Sequence, residues 1–560
     1  MAPPGFNVTI EKNMPLQVRD GTILRSDIYR PDSPGRFATL LSRTPYDKSR
    51  HTDTYLQLAE RGYVVVVQDV RGRYASDGKF MPGFYSASHC DTEDGYDSVE
   101  WSASLPWSSG KVGTIGGSYV GWTQWELAHA RPPHLVTIMP QAISANLLDR
   151  EMSGVLRLGR VLWWTLNTLS PDLRFRAQNF SGPRNTDEAE RLWSNLDRSK
   201  WLWFLPLMEI PDAVMFGMGY HWRNWLENHT TDHFGFLKKH SSVDVPALIT
   251  TGWYDQQIGA IKHFTGMRSN AATKVAQTQT KLIVGPWTHA AFELSGKVGE
   301  IDFGTEATIA YLDLADDWFS YFLKGENNGV LEWPAVRIFV MGANKWRNFD
   351  NWPIPGTTYR QLYLTVDGTL TWNKPNEGRP DQYIYDPRDP VMTLYTAEGQ
   401  QEPQDLRILD GRSDILTYST TPLENPVEII GPVTMNLWAS SSAKDTDFIV
   451  RLVDVWPNGF AQELSYGIVR ARYRDSIENP SLIKPDKPYE YTIELNPTAN
   501  LFKHGHKIRV DVCSSDFPNF DRNHNTGGND YAESTLQKAC QTIFHDLERP
   551  SRITLPIVSQ

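Results

Sequence analysis

Val112-Gly113-Thr114-Ile115-Gly116-Gly117-Ser118-Tyr119-Val120-Gly121-Trp122 sets a β-type run directly against a helical one, with glycines and a single serine at the junction. A serine on so sharp a strand-to-helix turn must hold strained backbone angles. Its small neighbours let strand and helix approach, and Oγ then projects at the carboxyl edge of a sheet as a nucleophile would. The usual spacing is Gly-x-Ser-x-Gly, whereas here Val120 fills the last place and Gly121 follows one later. Read alone, the segment also fits a glycine-rich βα turn with a surface serine, or a loop that cradles phosphate.

The text on either side is that of a parallel sheet. Thr39-Leu40-Leu41 and Tyr63 to Gln68 are short apolar runs of the kind buried on both faces, separated by a helix around Tyr55–Arg61. Helical text at Thr92–Ser104, the strand Val112–Ile115 and a helix from Tyr119 to Ala130 continue the βα alternation. Before them, alternation from Met14 to Tyr29 around Asp20-Gly21 reads as an antiparallel hairpin. From Leu147 to about Lys239 the pattern becomes helical and rich in tryptophan, an insertion over the strand ends, and strand text resumes at Val245–Thr250 and Thr280–Val284. After a helix at Ala307–Leu323 and the Pro/Gly stretch Trp352–Gly356, alternating segments such as Val433–Trp438, Phe448–Val453 and Lys507–Val512 indicate an all-β sandwich. The division expected is 1–146 and 241–355 for the two parts of an α/β catalytic domain, 147–240 for an inserted helical cap, and 356–560 for the sandwich.

Two loops supply partners for the serine. Gly252-Trp253-Tyr254-Asp255 follows one strand and Gly285-Pro286-Trp287-Thr288-His289 the next, in the order Ser, acid, His of an α/β-hydrolase. Asp255 would fix the tautomer of His289, and His289 would take the proton of Ser118 and pass it to the leaving group. A helix-capping Asp and a loop His are the plain alternatives, and their joint occurrence after consecutive strands is the rarer coincidence.

These stretches, with Arg43-Thr44-Pro45-Tyr46, Gln68-Asp69-Val70-Arg71-Gly72-Arg73-Tyr74-Ala75-Ser76-Asp77-Gly78 and Asp94-Gly95-Tyr96-Asp97, resemble the cocaine esterase and X-Pro dipeptidyl peptidase group of α/β-hydrolases, which includes α-amino acid ester hydrolases. In that group the glycine falls three after the serine, as Gly121 does. Asp445-Thr446-Asp447-Phe448 through Val455 resembles the group's jelly-roll domain, so the likeness spans nearly the whole chain. The resemblance implies an oxyanion hole made by the phenol of Tyr46 and the backbone N–H of Tyr119. It also implies an ester substrate, with amides as the near alternative. Gln256 and Gln257 stand where the amino-acid ester hydrolases carry carboxylates, which argues against recognition of an α-amino group. Trp163, Trp164 and Trp253 are the expected walls of an apolar or aromatic acyl pocket. Arg71-Gly72-Arg73 is read as structural, with an arginine pairing to nearby carboxylates.

The bulk numbers set the outer limits. Fifty-five Lys+Arg against 66 Asp+Glu give a net charge of −11 with no basic cluster, which disfavours nucleic acid as a partner. No run of eighteen apolar residues occurs, so no membrane span is expected. Three widely spaced cysteines, without a CxxC pair or a basic, apolar leader, point to the cytoplasm and to neither disulfides nor zinc. Asp521 to Gly527 begins like a calcium loop, but Thr526 and Ala532 replace its required Gly and Glu, so no metal and no cofactor are expected. The expected partner is a small-molecule ester or amide, with a homodimer as the assembly to test. The same triad also suits an X-Pro dipeptidyl peptidase, acyl transfer to another acceptor or cyclisation. A carbohydrate-binding protein with a vestigial triad is the non-enzymatic alternative.

Overall fold

The computed structural model of the chain describes residues 5–83, 90–146, 153–193, 198–231, 235–289, 292–376, 378–395 and 402–558. Leu147, the expected start of the insertion, lies outside them. Eight strands, β1 (Val8–Gln17), β2 (Ile23–Pro31), β3 (Phe37–Thr44), β4 (Tyr63–Asp69), β5 (Ser108–Gly117), β6 (Leu135–Gln141), β7 (Leu248–Tyr254) and β8 (Lys281–Thr288), build the first sheet with Val336–Val340 and Lys345–Phe349. Their order is β1-β2-β4-β3-β5-β6-β7-β8, followed by those last two. The β1–β2 hairpin and the β2–β4 pair are antiparallel, and every pairing from β4 through β8 to Val336–Val340 is parallel.

The unbroken apolar run of β4 has a physical reason in this sheet. Val64 and Val66 join a core with Trp122 and Trp125 of α3 (Tyr119–His129), while Val65 and Val67 join a second with Tyr55 and Leu58 of α1 (Thr52–Glu60) and with Trp318. Successive side chains of a strand point to opposite faces, so a sheet covered on both sides needs apolar residues at every position.

Between β6 and β7 the described chain is helical, with segments at Leu158–Trp163, Ser170–Arg176, Thr186–Leu192, Arg198–Trp203 and Gly219–Asn228, and a π-helical turn at Trp164–Leu169. Its tryptophans divide by role. Trp193, Trp201, Trp222 and Trp225 are buried in the core, and the Trp222 indole donates to the Leu207 carbonyl at 2.9 Å.

Among the described residues, strands from Thr358 to Ile557 form a second network of eleven, antiparallel except where Thr369 meets Ser419. Its longest member, Val427–Ser441, pairs with Tyr489–Phe502, Ala539–Phe544 and Arg552–Ile557. The chain is thus an α/β-hydrolase domain with a C-terminal all-β domain. Among the described residues no helix is long and apolar enough to cross a membrane.

Candidate active site

Ser118 sits between the last residue of β5 and the first of α3 with φ 58° and ψ −128°. Its amide donates to the Gln141 carbonyl at 2.9 Å, which ties the turn to the end of β6. The departure at Val120 has a steric explanation. A Cβ on Gly116 would lie 2.3 Å from Val120 Cγ1, so the valine occupies space that the glycine leaves open. The close approach of α3 to β6 is met one residue later, where a Cβ on Gly121 would come within 3.0 Å of the Gln141 carbonyl oxygen.

β7 ends at Tyr254 and β8 at Thr288, so Asp255 and His289 are each the first residue beyond a strand. Both strands run past the boundaries read from sequence, because Gly252-Trp253-Tyr254 and Gly285 to Thr288 are themselves extended. His289 Nε2 lies 3.0 Å from Ser118 Oγ, and His289 Nδ1 lies 2.9 Å from Asp255 Oδ1. The Asp255 carboxylate is buried and also accepts the Gln257 amide at 2.8 Å. A proton on Nδ1 directed at Asp255 leaves Nε2 with the lone pair that faces the serine hydroxyl.

A cavity of about 360 Å³ opens over Ser118 and His289. Tyr46, Tyr55, Val120, Trp163, Trp164 and Phe292 give it its apolar wall, and Asp47, Arg50 and Arg160 its charges. Burial raises the Tyr46 phenol above its ordinary pKa, against the charge of Arg160 and hydrogen bonding toward Ser118 and Trp164, so it stays protonated at neutral pH. Tyr119 contributes differently. Its side chain is buried away from the cavity, donating to Asp91 at 3.0 Å and accepting from the Gly83 amide at 3.3 Å. Its backbone N–H, at the first position of α3, belongs to the set of amides that a helix presents beyond its N-terminus.

One expectation about the wall is corrected. Trp253 does not line this cavity: it is buried on β7, and its indole donates to the Phe339 carbonyl at 2.7 Å. Arg50, His51, Tyr55, Arg160 and Phe292 line the cavity instead and were not singled out in the sequence. The first two lie within five residues of Tyr46 on the loop after β3, which was the available signal. Arg71 pairs with Asp94 at 2.6 Å and with Asp20 at 2.7 Å, the structural role read for it. Among the described residues one group of metal-ligand type, His524, Asp530 and Glu533, brings such atoms within 4.8 Å, and Asp530 there already pairs with Arg470 and Arg472.

Residues 20–291 match the family model described as X-Pro dipeptidyl-peptidase (S15 family), and residues 328–554 that of the X-Pro dipeptidyl-peptidase C-terminal non-catalytic domain. The chain is 36% identical to the cocaine esterase of Rhodococcus sp. (strain MB1 Bresler), over 99% of both chains. It belongs to the cocaine esterase and X-Pro dipeptidyl peptidase group of α/β-hydrolases. Two solved structures of similar proteins agree. An aminopeptidase from the marine sediment archaeon Thaumarchaeota archaeon superposes with TM-score 0.82 at 26% identity, covering 100% of this chain and 98% of that one. An α-amino acid ester hydrolase does so with TM-score 0.81 at 26% identity, covering 99% and 97%. As a member of this group the chain is a serine hydrolase of the carboxylic ester class, and the reading as a non-enzymatic binding protein falls away.

Proposed function

We propose that this chain hydrolyses a small carboxylic ester with a largely apolar or aromatic acyl group, using Ser118 as nucleophile, His289 as general base and acid, and Asp255 to hold the imidazole. The observation that supports this best is the Asp255–His289–Ser118 relay, at 2.9 and 3.0 Å, opening on an aromatic-walled cavity. The Ser118 hydroxyl gives its proton to His289 Nε2 as Oγ bonds to the ester carbon. The carbonyl oxygen, now an anion, accepts from the Tyr46 phenol and the Tyr119 amide, each worth about 3 kcal/mol of barrier. Collapse of the adduct breaks the bond to the alcohol oxygen, which leaves with the proton from His289. Water then repeats the sequence on the acyl-enzyme.

The charges of the cavity bear on the substrate. Among the described lining residues there is one carboxylate, Asp47, and two guanidiniums, Arg50 and Arg160, a balance of charge that disfavours a substrate ammonium. Gln257, where the amino-acid ester hydrolases carry a carboxylate, accepts the Ser144 amide at 3.0 Å and so serves the loop. Both features favour a neutral acyl group over the X-Pro peptide substrate. The test is labelling of Ser118 by a fluorophosphonate, followed by kcat/KM across esters graded in acyl size. No adduct on Ser118, or a preference for substrates with a free α-amino group, would overturn the proposal.

A further inference from the structure

The loop that carries Tyr46 leaves β3 at Thr44 and needs an anchor, because a hydroxyl aimed at an oxyanion must be held to within a fraction of an ångström. One anchor is Lys48, whose amide and ammonium both bond the carboxylate of Asp69 at the end of β4, at 2.8 and 3.0 Å. The other is Arg73, in the turn after the same strand, and it reaches further. Its guanidinium is fully buried. Nε donates to the carbonyl of Pro45, the peptide unit that leads into Tyr46, at 2.9 Å. Nη1 donates to Leu169 O at 2.9 Å and Nη2 to Thr168 O at 3.0 Å, both at the end of the π-helical turn that begins with Trp164. Asp172 balances the charge from 3.5 Å and accepts the Tyr74 amide, and the rings of Tyr74 and Phe80 lie 5.0 Å from the guanidinium carbon.

One planar cation therefore joins the loop bearing the phenol to the turn whose Trp164 and Thr168 wall the cavity. Three nitrogens serve three carbonyls that belong to two separate segments. A lysine, with a single nitrogen on a flexible stem, cannot span them. We propose that Arg73 is a positioning residue for the reaction, setting the Tyr46 phenol against Ser118 and against the Trp164 wall, which rests on the reading of Tyr46 as an oxyanion donor. Its role is distinct from that of Arg71 two residues earlier, whose partners are the side-chain carboxylates of the exposed Asp20 and the buried Asp94.

The deciding experiment is a double-mutant cycle between Arg73→Lys and Tyr46→Phe, with kcat referred to the Ser118 sites counted by fluorophosphonate titration so that only folded protein is scored. Arg73→Lys should lower kcat per site by about 10- to 10²-fold with little change in KM. In the Tyr46→Phe background the same substitution should cost less than about 3-fold, because the hydrogen bond through which it acts is already gone. Asp172→Asn, a milder change at the same cation, should show the same dependence on Tyr46. Equal losses in both backgrounds, or unchanged kcat per site beside a lowered Tm, would reduce Arg73 to a fold-stabilising residue and overturn the proposal. A silent Tyr46→Phe would instead remove the donor itself, a separate and recognisable failure.

Discussion

A serine at φ 58° carries a conformation that L-residues avoid, at a cost of order 1–3 kcal/mol that the surrounding contacts must offset. The strain places Oγ 3.0 Å from His289 Nε2, and His289 is the imidazole of the cavity that is hydrogen-bonded both to Ser118 and to Asp255. Ser118→Ala and His289→Ala should each lower kcat by at least ~10³, measured as steady-state ester hydrolysis. Asp255→Asn should leave KM nearly unchanged and slow acylation, since an amide at that position favours the wrong imidazole tautomer. Tyr46→Phe separates a donor from a packed ring. It should lower kcat by about 10²–10³ while Tm stays near wild type, and unchanged kcat in a stable variant would leave the Tyr119 amide needing another partner. Of these residues Ser118, Asp255 and His289 were readable because each borders a strand with a recognisable apolar run. Tyr46 rested on the resemblance alone.

At the level of elements, the site depends on how closely β7 and β8 converge. A Cβ on Gly252 would lie 2.0 Å from the Trp287 carbonyl oxygen, a backbone atom held in the sheet. Gly252→Ala must therefore spread the two strand ends that present Asp255 and His289. It should lose about 1–3 kcal/mol of stability by urea denaturation and also reduce kcat, whereas a stability loss with kcat intact would uncouple strand spacing from the relay. The same strands explain what sequence reading mistook. Gly252-Trp253-Tyr254, read as the loop after a strand, is itself extended, and strand alternation turns Trp253 toward Phe339 and away from the cavity. The parallel sheet was legible because burial on both faces writes continuous apolar runs, and the helices α1, α2 (Cys90–Ser104) and α3 because they fall between those runs. Of the cavity wall Trp163 and Trp164 were read and the rest was not, since Arg50, Arg160 and Phe292 come from three segments whose meeting no single stretch encodes.

Across the whole molecule the all-β domain braces the helices inserted between β6 and β7. Arg157 donates to the Tyr466 hydroxyl at 2.7 Å and to Asn519 at 3.2 Å, and the Gly159 amide to Pro518 O at 2.7 Å, directly behind the segment that carries Trp163 and Trp164. His229, at the end of the helix Gly219–Asn228, faces the hydroxyls of Tyr473 and Tyr531 at 3.5 and 3.4 Å. Deeper in, His240 Nε2 meets His263 Nδ1 at 3.0 Å, and the His263 ring stacks on Trp125 of α3 at 4.0 Å. Burial lowers His229 and His240 to about 4 and His263 well below its ordinary value. The unfolded chain takes up these protons near pH 6.5, so the stability that neutral rings contribute is complete above that pH and is lost as pH falls toward 4. Asp69 and Asp91, raised to about 6 chiefly by burial, act in the opposite sense, since the folded chain protonates them first and gains stability as pH falls through that value. The histidine share is isolated by His263→Phe, which keeps a ring against Trp125 and removes one of the reluctant protons. Urea midpoints at pH 7.5 and 5 should show a weaker loss of stability in the variant than in the wild type, by up to about 1.4 kcal/mol per pH unit for that proton. Parallel losses in the two proteins would mean that acid acts on this fold through other groups.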